Sequence, residues 1–167
     1  MGYTHYWTYN PNAASNPEDT ARKFQAAAEL IRDALQEIKK DNFLHEGQAG
    51  GYDNTHPCLI RGGLGEGDPE ITDTEIWFNG DEATGMDHET FSIQLHPKTG
   101  YVRDFCKTAR KPYDLLVCFS LLALKHSFNN PQVFSFSSDG DNSEWETSAE
   151  LYQTLSGINP RPIFPEE

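Results

Sequence analysis

Residues 113–124 constrain the fold most, because they are apolar around nearly the whole circumference of a helix. Such a helix is stable only when other elements cover it, so this segment predicts a buried helix in the core. The preceding segment, residues 103–111, carries four of the thirteen basic residues, namely Arg103, Lys107, Arg110 and Lys111. We therefore expect a basic loop that leads into a buried helix, with Pro112 at the first helical position.

Periodicity and capping residues predict the longer elements on either side of this helix. Residues 3–9 alternate aromatic and β-branched side chains, which predicts a strand with its odd-numbered residues on one face. Asn16 followed by Pro17 predicts the start of an amphipathic helix of about 22 residues. Ser143 and Glu146 have capping-box spacing and predict a last helix.

Shorter strands are predicted at 58–61, 72–78, 90–96 and 133–137, with glycine-rich loops within residues 46–67. The element order predicts one α+β domain, residues 1–167, with a mainly antiparallel sheet of about five strands and three helices packed on one side. Residues 159–167 contain three prolines and predict a tail that lies along the surface.

The charge of the chain restricts its partners. With 26 acidic and 13 basic side chains, the net charge is −13, which opposes non-specific binding to DNA, RNA and anionic membranes.

Three features of the sequence bear on the location of the protein. The longest apolar stretch is too short to cross a bilayer, and the amino-terminal residues lack the pattern of a signal peptide. The three cysteines show no paired spacing that would indicate disulfide bonds. These features predict a cytoplasmic protein. The oligomeric state stays open.

The basic segment is the first candidate for a binding site. Lys107, Thr108, Arg110 and Lys111 precede a predicted helix, so cations, a hydroxyl and backbone N–H groups could converge on an anion. The alternative is that these cations are solvated or paired with the surplus acidic residues. Cys106 lies four positions before Arg110, which does not match the spacing of the phosphatase loop, so the thiol is not predicted to be a nucleophile.

Aromatic and polar residues elsewhere complete the predicted site. Tyr113, His5 and Trp7 are candidates for contacting a base or a sugar, although a hydrogen-bonded imidazole in the core is the more common role for a histidine such as His5. Ser138 and Asp139 lie in a polar loop that caps the last helix or forms a rim beside the basic segment. This loop lacks the glycine of a calcium-binding loop, and we predict neither a metal site nor a cofactor.

Three segments of the chain carry a resemblance. The start MGYTHYW, the string KTARKPYD at residues 107–114, and SSDG at residues 137–140 with the following Trp145 resemble a family of small proteins common in phage genomes and prophages. The resemblance spans most of the chain. It implies an accessory phage protein made in a bacterial cytoplasm, where such proteins counteract host defences by binding a host protein or by sequestering or degrading a nucleotide signal.

Three hypotheses about function follow. The first is a binding protein that sequesters a small anionic ligand such as a nucleotide-derived immune signal. The second is an enzyme acting on such a nucleotide, with Asp114, Asp139 or His5 as acid–base groups; no spacing supports a particular reaction, so the sequence favours binding. The third is an acidic inhibitor that binds a host defence protein directly.

Overall fold

The computed structural model describes residues 2–41 and 57–165, so residues 46–56 of the predicted glycine-rich loops lie outside the described residues. Within these residues, three α-helices and six strands make an α+β fold, which is the predicted class. In chain order they are β1 (Thr4–Tyr9), α1 (Pro17–Asp41), β2 (Glu70–Ile71), β3 (Glu75–Phe78), β4 (Phe91–Gln94), β5 (Val102–Lys107), α2 (Asp114–Phe128), β6 (Phe134–Ser138) and α3 (Glu146–Ser156).

The strands form two antiparallel sheets of three strands, in the orders β5–β1–β6 and β2–β3–β4, in place of the expected single sheet of about five. The two sheets meet in the core, where the ring centroids of Trp7 and Phe91 are 5.0 Å apart and the Tyr9 hydroxyl donates to the Leu95 carbonyl at 2.9 Å. Buried side chains from both sheets and all three helices form one continuous hydrophobic core.

Strand β5 was predicted as the first part of the basic loop, and this prediction is wrong. Val102 pairs with Tyr9 and Lys107 pairs with Thr4, so β5 satisfies the backbone groups along one edge of β1, while β6 satisfies those along the other edge. The charged residues of β5 are tolerated because it is an edge strand with mostly exposed side chains.

Helix α2 confirms the prediction of a buried helix. Every side chain from Asp114 to Leu124 is buried, and the helix packs against α1, α3 and β6. It begins two residues after Pro112 and ends at Phe128, and the φ of 49° at the following Asn129 is the left-handed conformation of a helix cap. The predicted cap of α1 is also present, since the Asn16 side chain accepts a hydrogen bond from the Glu18 N–H at 2.9 Å.

Two of the shorter predicted strands differ from the structure. Residues 58–61 form no strand, and Arg61 makes only an isolated bridge to Asn79. The predicted strand 72–78 begins only at Glu75, because the Thr72 hydroxyl accepts hydrogen bonds from the N–H groups of Thr74 and Glu75 at 3.3 and 3.1 Å. These bonds stabilise a turn between β2 and β3.

The capping box predicted before α3 does not form. The Asp141 carboxylate instead accepts hydrogen bonds from the Ser143 hydroxyl at 2.6 Å and the Glu144 N–H at 3.0 Å, because an aspartate side chain competes well for the N–H groups of a following turn. The described part of the tail is anchored as well as exposed, since Ile163 is buried and Phe164 exchanges two hydrogen bonds with the Asn142 side chain. None of the described helices is both long and apolar enough to span a membrane.

Candidate functional site

The solvent-facing side of sheet β5–β1–β6, here called the outer sheet face, exposes two aromatic rings. Tyr6 on β1 is 42% exposed and pairs directly with Phe105 on β5, which is 49% exposed. Directly opposed residues of antiparallel strands point to the same side of a sheet, so the two rings are neighbours. A depression of about 370 Å³ lies over this face, lined in part by Thr8, Arg103 and Ser135.

Two cations flank the aromatic pair. Arg103 and Lys107 lie two residues before and after Phe105 on β5, so alternation places both on the outer sheet face, where both are exposed. The Lys107 Nζ lies 5.8 Å from the centroid of the Phe105 ring, and the Arg103 Nε donates to the Tyr101 hydroxyl at 3.3 Å. Among the described residues, neither cation takes part in an ion pair. The face can therefore offer planar stacking surfaces together with positive charge.

The other cations of the basic segment have partners within the protein. The Arg110 Nε donates to the Glu144 carboxylate at 2.9 Å, which raises the pKa of Arg110, and the guanidinium lies 4.2 Å from the centroid of the Tyr3 ring. The Lys111 Nζ donates to the Gly85 carbonyl at 2.9 Å.

The first backbone N–H groups of helix α2 also have hydrogen-bond acceptors within the protein. The N–H groups of Asp114, Leu115 and Leu116 donate to the carbonyls three residues earlier, at 2.9, 3.3 and 3.0 Å. The structure therefore does not present these N–H groups to an external anion, although they lie directly after the basic segment.

Beneath the sheet, five side chains form a hydrogen-bonded group, here called the buried polar cluster. Its members are His5, Thr108, Asp114, Cys118 and Ser138. The His5 Nε2 lies 2.6 Å from Asp114 Oδ1, and the His5 Nδ1 lies 2.8 Å from Ser138 Oγ. The Thr108 hydroxyl donates to Asp114 Oδ1 at 2.6 Å, and the Cys118 thiol lies 3.5 Å from Asp114 Oδ2. Burial and the neighbouring Asp114 carboxylate raise the pKa of Cys118.

The buried polar cluster connects serine, histidine and aspartate in the order found in hydrolases, but its serine is not arranged as a nucleophile. Ser138 Oγ accepts hydrogen bonds from the Gly140 N–H at 2.9 Å and from the Trp145 indole at 3.3 Å, which occupy its lone pairs. The hydroxyl then donates to His5, so the His5 Nε2 carries the proton shared with Asp114. His5 is completely buried, which matches the alternative of a core imidazole and keeps its ring from contacting a ligand.

The cluster also brings together three potential metal ligands that the sequence did not reveal. The ligand atoms of His5, Asp114 and Cys118 all lie within 4.8 Å of one another. Sequence reasoning missed this group because only Asp114 and Cys118, one helical turn apart, are close in the chain, and His5 lies on β1.

The remaining predicted residues do not present their side chains on the outer sheet face. Tyr113 is buried, and its hydroxyl donates to the Glu89 carbonyl at 2.6 Å; burial raises the pKa of this phenol. The Trp7 side chain packs in the core, where it is 3% exposed, although it is among the residues that line the depression. Asp139, which is exposed, accepts a hydrogen bond from the Thr4 N–H at 3.1 Å.

Of the nine predicted site residues, only Lys107 presents its side chain on the outer sheet face, whereas His5, Thr108 and Ser138 meet in the buried polar cluster. Tyr6, Phe105 and Arg103 are not among the residues predicted from the sequence to contact a ligand. The alternation of residues 3–9 contained the signal for Tyr6, because it placed this tyrosine on the face opposite His5.

Comparisons with protein-family models, with curated proteins and with solved structures each found no significant match.

Proposed function

We propose that the protein binds a small nucleotide-like anion on the outer sheet face. The observation that carries this proposal is the pair of exposed rings, Tyr6 and Phe105, flanked by Arg103 and Lys107. A nucleobase has a planar face that stacks on aromatic side chains, and its phosphate is attracted to cations a few ångströms away. Exposed aromatic rings beside cations on a sheet suit both parts of such a ligand.

The size and charge of the protein favour a small ligand over a polynucleotide. The depression of about 370 Å³ lies within the range of about 300–1,000 Å³ that is typical of small-molecule pockets. A long nucleic acid would extend beyond the two cations onto a protein with a net charge of −13, which repels a polyanion. A mononucleotide or a short cyclic nucleotide avoids this repulsion.

The resemblance described above supplies a biological context for this proposal. An accessory phage protein that sequesters a nucleotide-derived signal would prevent that signal from activating a host defence. Binding is favoured over catalysis because His5 and Asp114, the strongest acid–base pair, are buried beneath the sheet and do not face the depression.

Isothermal titration calorimetry with a panel of mononucleotides, dinucleotides and cyclic nucleotides tests the proposal. We expect Phe105→Ala to weaken binding by about 5- to 150-fold, since stacking of one base contributes about 1–3 kcal/mol. Arg103→Gln should weaken the binding of phosphorylated ligands. Ile158→Ala and Lys98→Gln are matched controls, because they remove an exposed apolar residue and a cation outside this face.

Two further measurements separate the alternatives. If Arg110→Ala weakens binding while Phe105→Ala does not, the ligand binds at the basic segment and the outer sheet face is the wrong site. Chromatography of the ligand recovered after heat denaturation of the protein distinguishes sequestration, which returns it unchanged, from catalysis. No binding across the panel by the wild-type protein would overturn the proposed function.

A further inference from the structure

We propose that His5, Asp114 and Cys118 form a zinc site in the core. Each is completely buried, and each supplies a donor that zinc accepts in proteins: imidazole nitrogen, carboxylate oxygen and thiolate sulfur. Two elements supply them, since His5 lies on β1 and the other two lie one turn apart on α2. A bound ion would therefore join the central strand of one sheet to the central helix.

Two of the three distances between ligand atoms fit a tetrahedral ion, namely those that involve the Cys118 sulfur. The His5 Nε2 lies 3.6 Å from the Cys118 Sγ, which in turn lies 3.5 Å from Asp114 Oδ2. Zn–N bonds of about 2.1 Å and Zn–S bonds of about 2.3 Å, at a tetrahedral angle, place nitrogen and sulfur about 3.6 Å apart. The 2.6 Å between His5 Nε2 and Asp114 Oδ1 is a hydrogen-bond distance. It must lengthen to about 3.4 Å when the ion replaces the shared proton.

Two hydroxyl groups are already placed to support the ligands. Ser138 Oγ lies 2.8 Å from the His5 Nδ1, and it would accept the Nδ1–H that the imidazole carries when Nε2 binds a metal, in exchange for the longer hydrogen bond that it now accepts from the Trp145 indole at 3.3 Å. The Thr108 hydroxyl donates to the Asp114 carboxylate at 2.6 Å. Hydrogen bonds of this kind orient metal ligands in proteins and increase their affinity.

Charge balance also favours a divalent ion. Zn²⁺ together with one thiolate and one carboxylate has no net charge, so the ion and these ligands would add no net charge to the core. The mixture of nitrogen, oxygen and sulfur donors suits zinc better than magnesium or calcium, which prefer oxygen alone. Because all three ligands are buried, the ion would enter while the chain folds and would stabilise the native state.

Metal analysis of refolded protein tests this inference. The wild-type chain is unfolded in denaturant with a chelator, freed of metal, and refolded with or without Zn²⁺ or Co²⁺. After removal of free metal, we expect one equivalent of zinc per chain by mass spectrometry, a higher melting temperature with zinc, and a sulfur-to-cobalt charge-transfer band with Co²⁺.

Substitutions of cysteine test whether Cys118 coordinates the metal. Cys118→Ser should remove the charge-transfer band and reduce bound zinc, whereas the matched control Cys106→Ser changes another buried cysteine and should leave both unchanged. Circular dichroism establishes whether each variant folds. If Cys118→Ser does not fold, the wild-type stoichiometry still decides the question. Refolded wild type that holds no zinc or cobalt, or a folded Cys118→Ser variant that holds as much as wild type, would overturn the inference.

Discussion

The hydrogen bond from Thr108 to Asp114 is the best place to measure how strongly the buried polar cluster stabilises the fold. Thr108 is completely buried, and its hydroxyl donates to the carboxylate at 2.6 Å. Thr108→Val removes this donor with little change of shape. A hydrogen bond to a charged group contributes about 1.5–3 kcal/mol, so we expect the free energy of unfolding to fall by about that amount.

A second threonine provides a matched control. Thr20 is also buried, but its hydroxyl donates to the neutral Asn16 carbonyl at 3.2 Å. A neutral hydrogen bond contributes about 0.5–1.5 kcal/mol, so Thr20→Val should destabilise the protein less than Thr108→Val. Against a typical total stability of about 5–15 kcal/mol, both variants should remain folded.

Urea unfolding followed by tryptophan fluorescence measures these differences, since Trp7 and Trp145 are buried in the native state. A chelator keeps the measurement independent of metal. Combining Thr108→Val with Asp114→Asn in a double-mutant cycle should show a coupling energy of about 0.5–3 kcal/mol, because the two side chains share the bond. If Thr108→Val costs no more than Thr20→Val, or if the two changes are additive, the buried polar cluster does not stabilise the fold as argued.

Three further predictions concern other parts of the molecule. Burial alone would raise the pKa of Asp81, but hydrogen bonds from Arg61 at 2.9 Å and from a threonine hydroxyl leave this pKa lowered. The hydrogen bonds to the ionised Asp81 carboxylate therefore stabilise the fold above the unfolded carboxyl pKa of about 3.9. This stabilisation is lost as the pH falls through the lower pKa that Asp81 has in the folded protein. The loss of stability in Asp81→Asn, measured by urea unfolding, should accordingly shrink with acidification; a pH-independent difference would contradict the argument. Gly63→Ala should destabilise the protein by about 1–3 kcal/mol in the same assay, because its Cβ would lie 2.1 Å from the Trp77 ring, whereas Gly2→Ala, with no atom closer than 3.9 Å, should be neutral. All three cysteines are buried, and burial raises the pKa of each thiol, so Ellman's reagent should modify the native protein far more slowly than the unfolded protein; rapid native labelling would contradict the buried positions.

The sequence alone determined the elements whose signals are local. Side-chain periodicity predicts strand β1, the length of α1 and the burial of α2. The start of α1 follows from Asn16, which caps the helix and directly precedes it. These features could be predicted because the responsible interactions connect residues only a few positions apart. The α+β class followed from the order of these elements.

Strand pairing was decided by the tertiary structure. Residues 102–107 have a charged, weakly periodic sequence, and they form a strand only because β1 offers an edge about a hundred residues away in the chain. The division into two sheets has the same origin, since strand propensity reflects the packing of neighbours more than the residue itself.

The two candidate sites depended on the same long-range pairing. Register places Tyr6 beside Phe105 on the outer sheet face, and packing of α2 beneath β1 brings Asp114 to the ring of His5. The basic segment before α2 was visible in the sequence, but its local environment was not: the fold pairs Arg110 with Glu144 and leaves Lys107 and Arg103 beside the exposed rings. Local sequence determines which side chains are available, and only the folded chain decides which of them face solvent together.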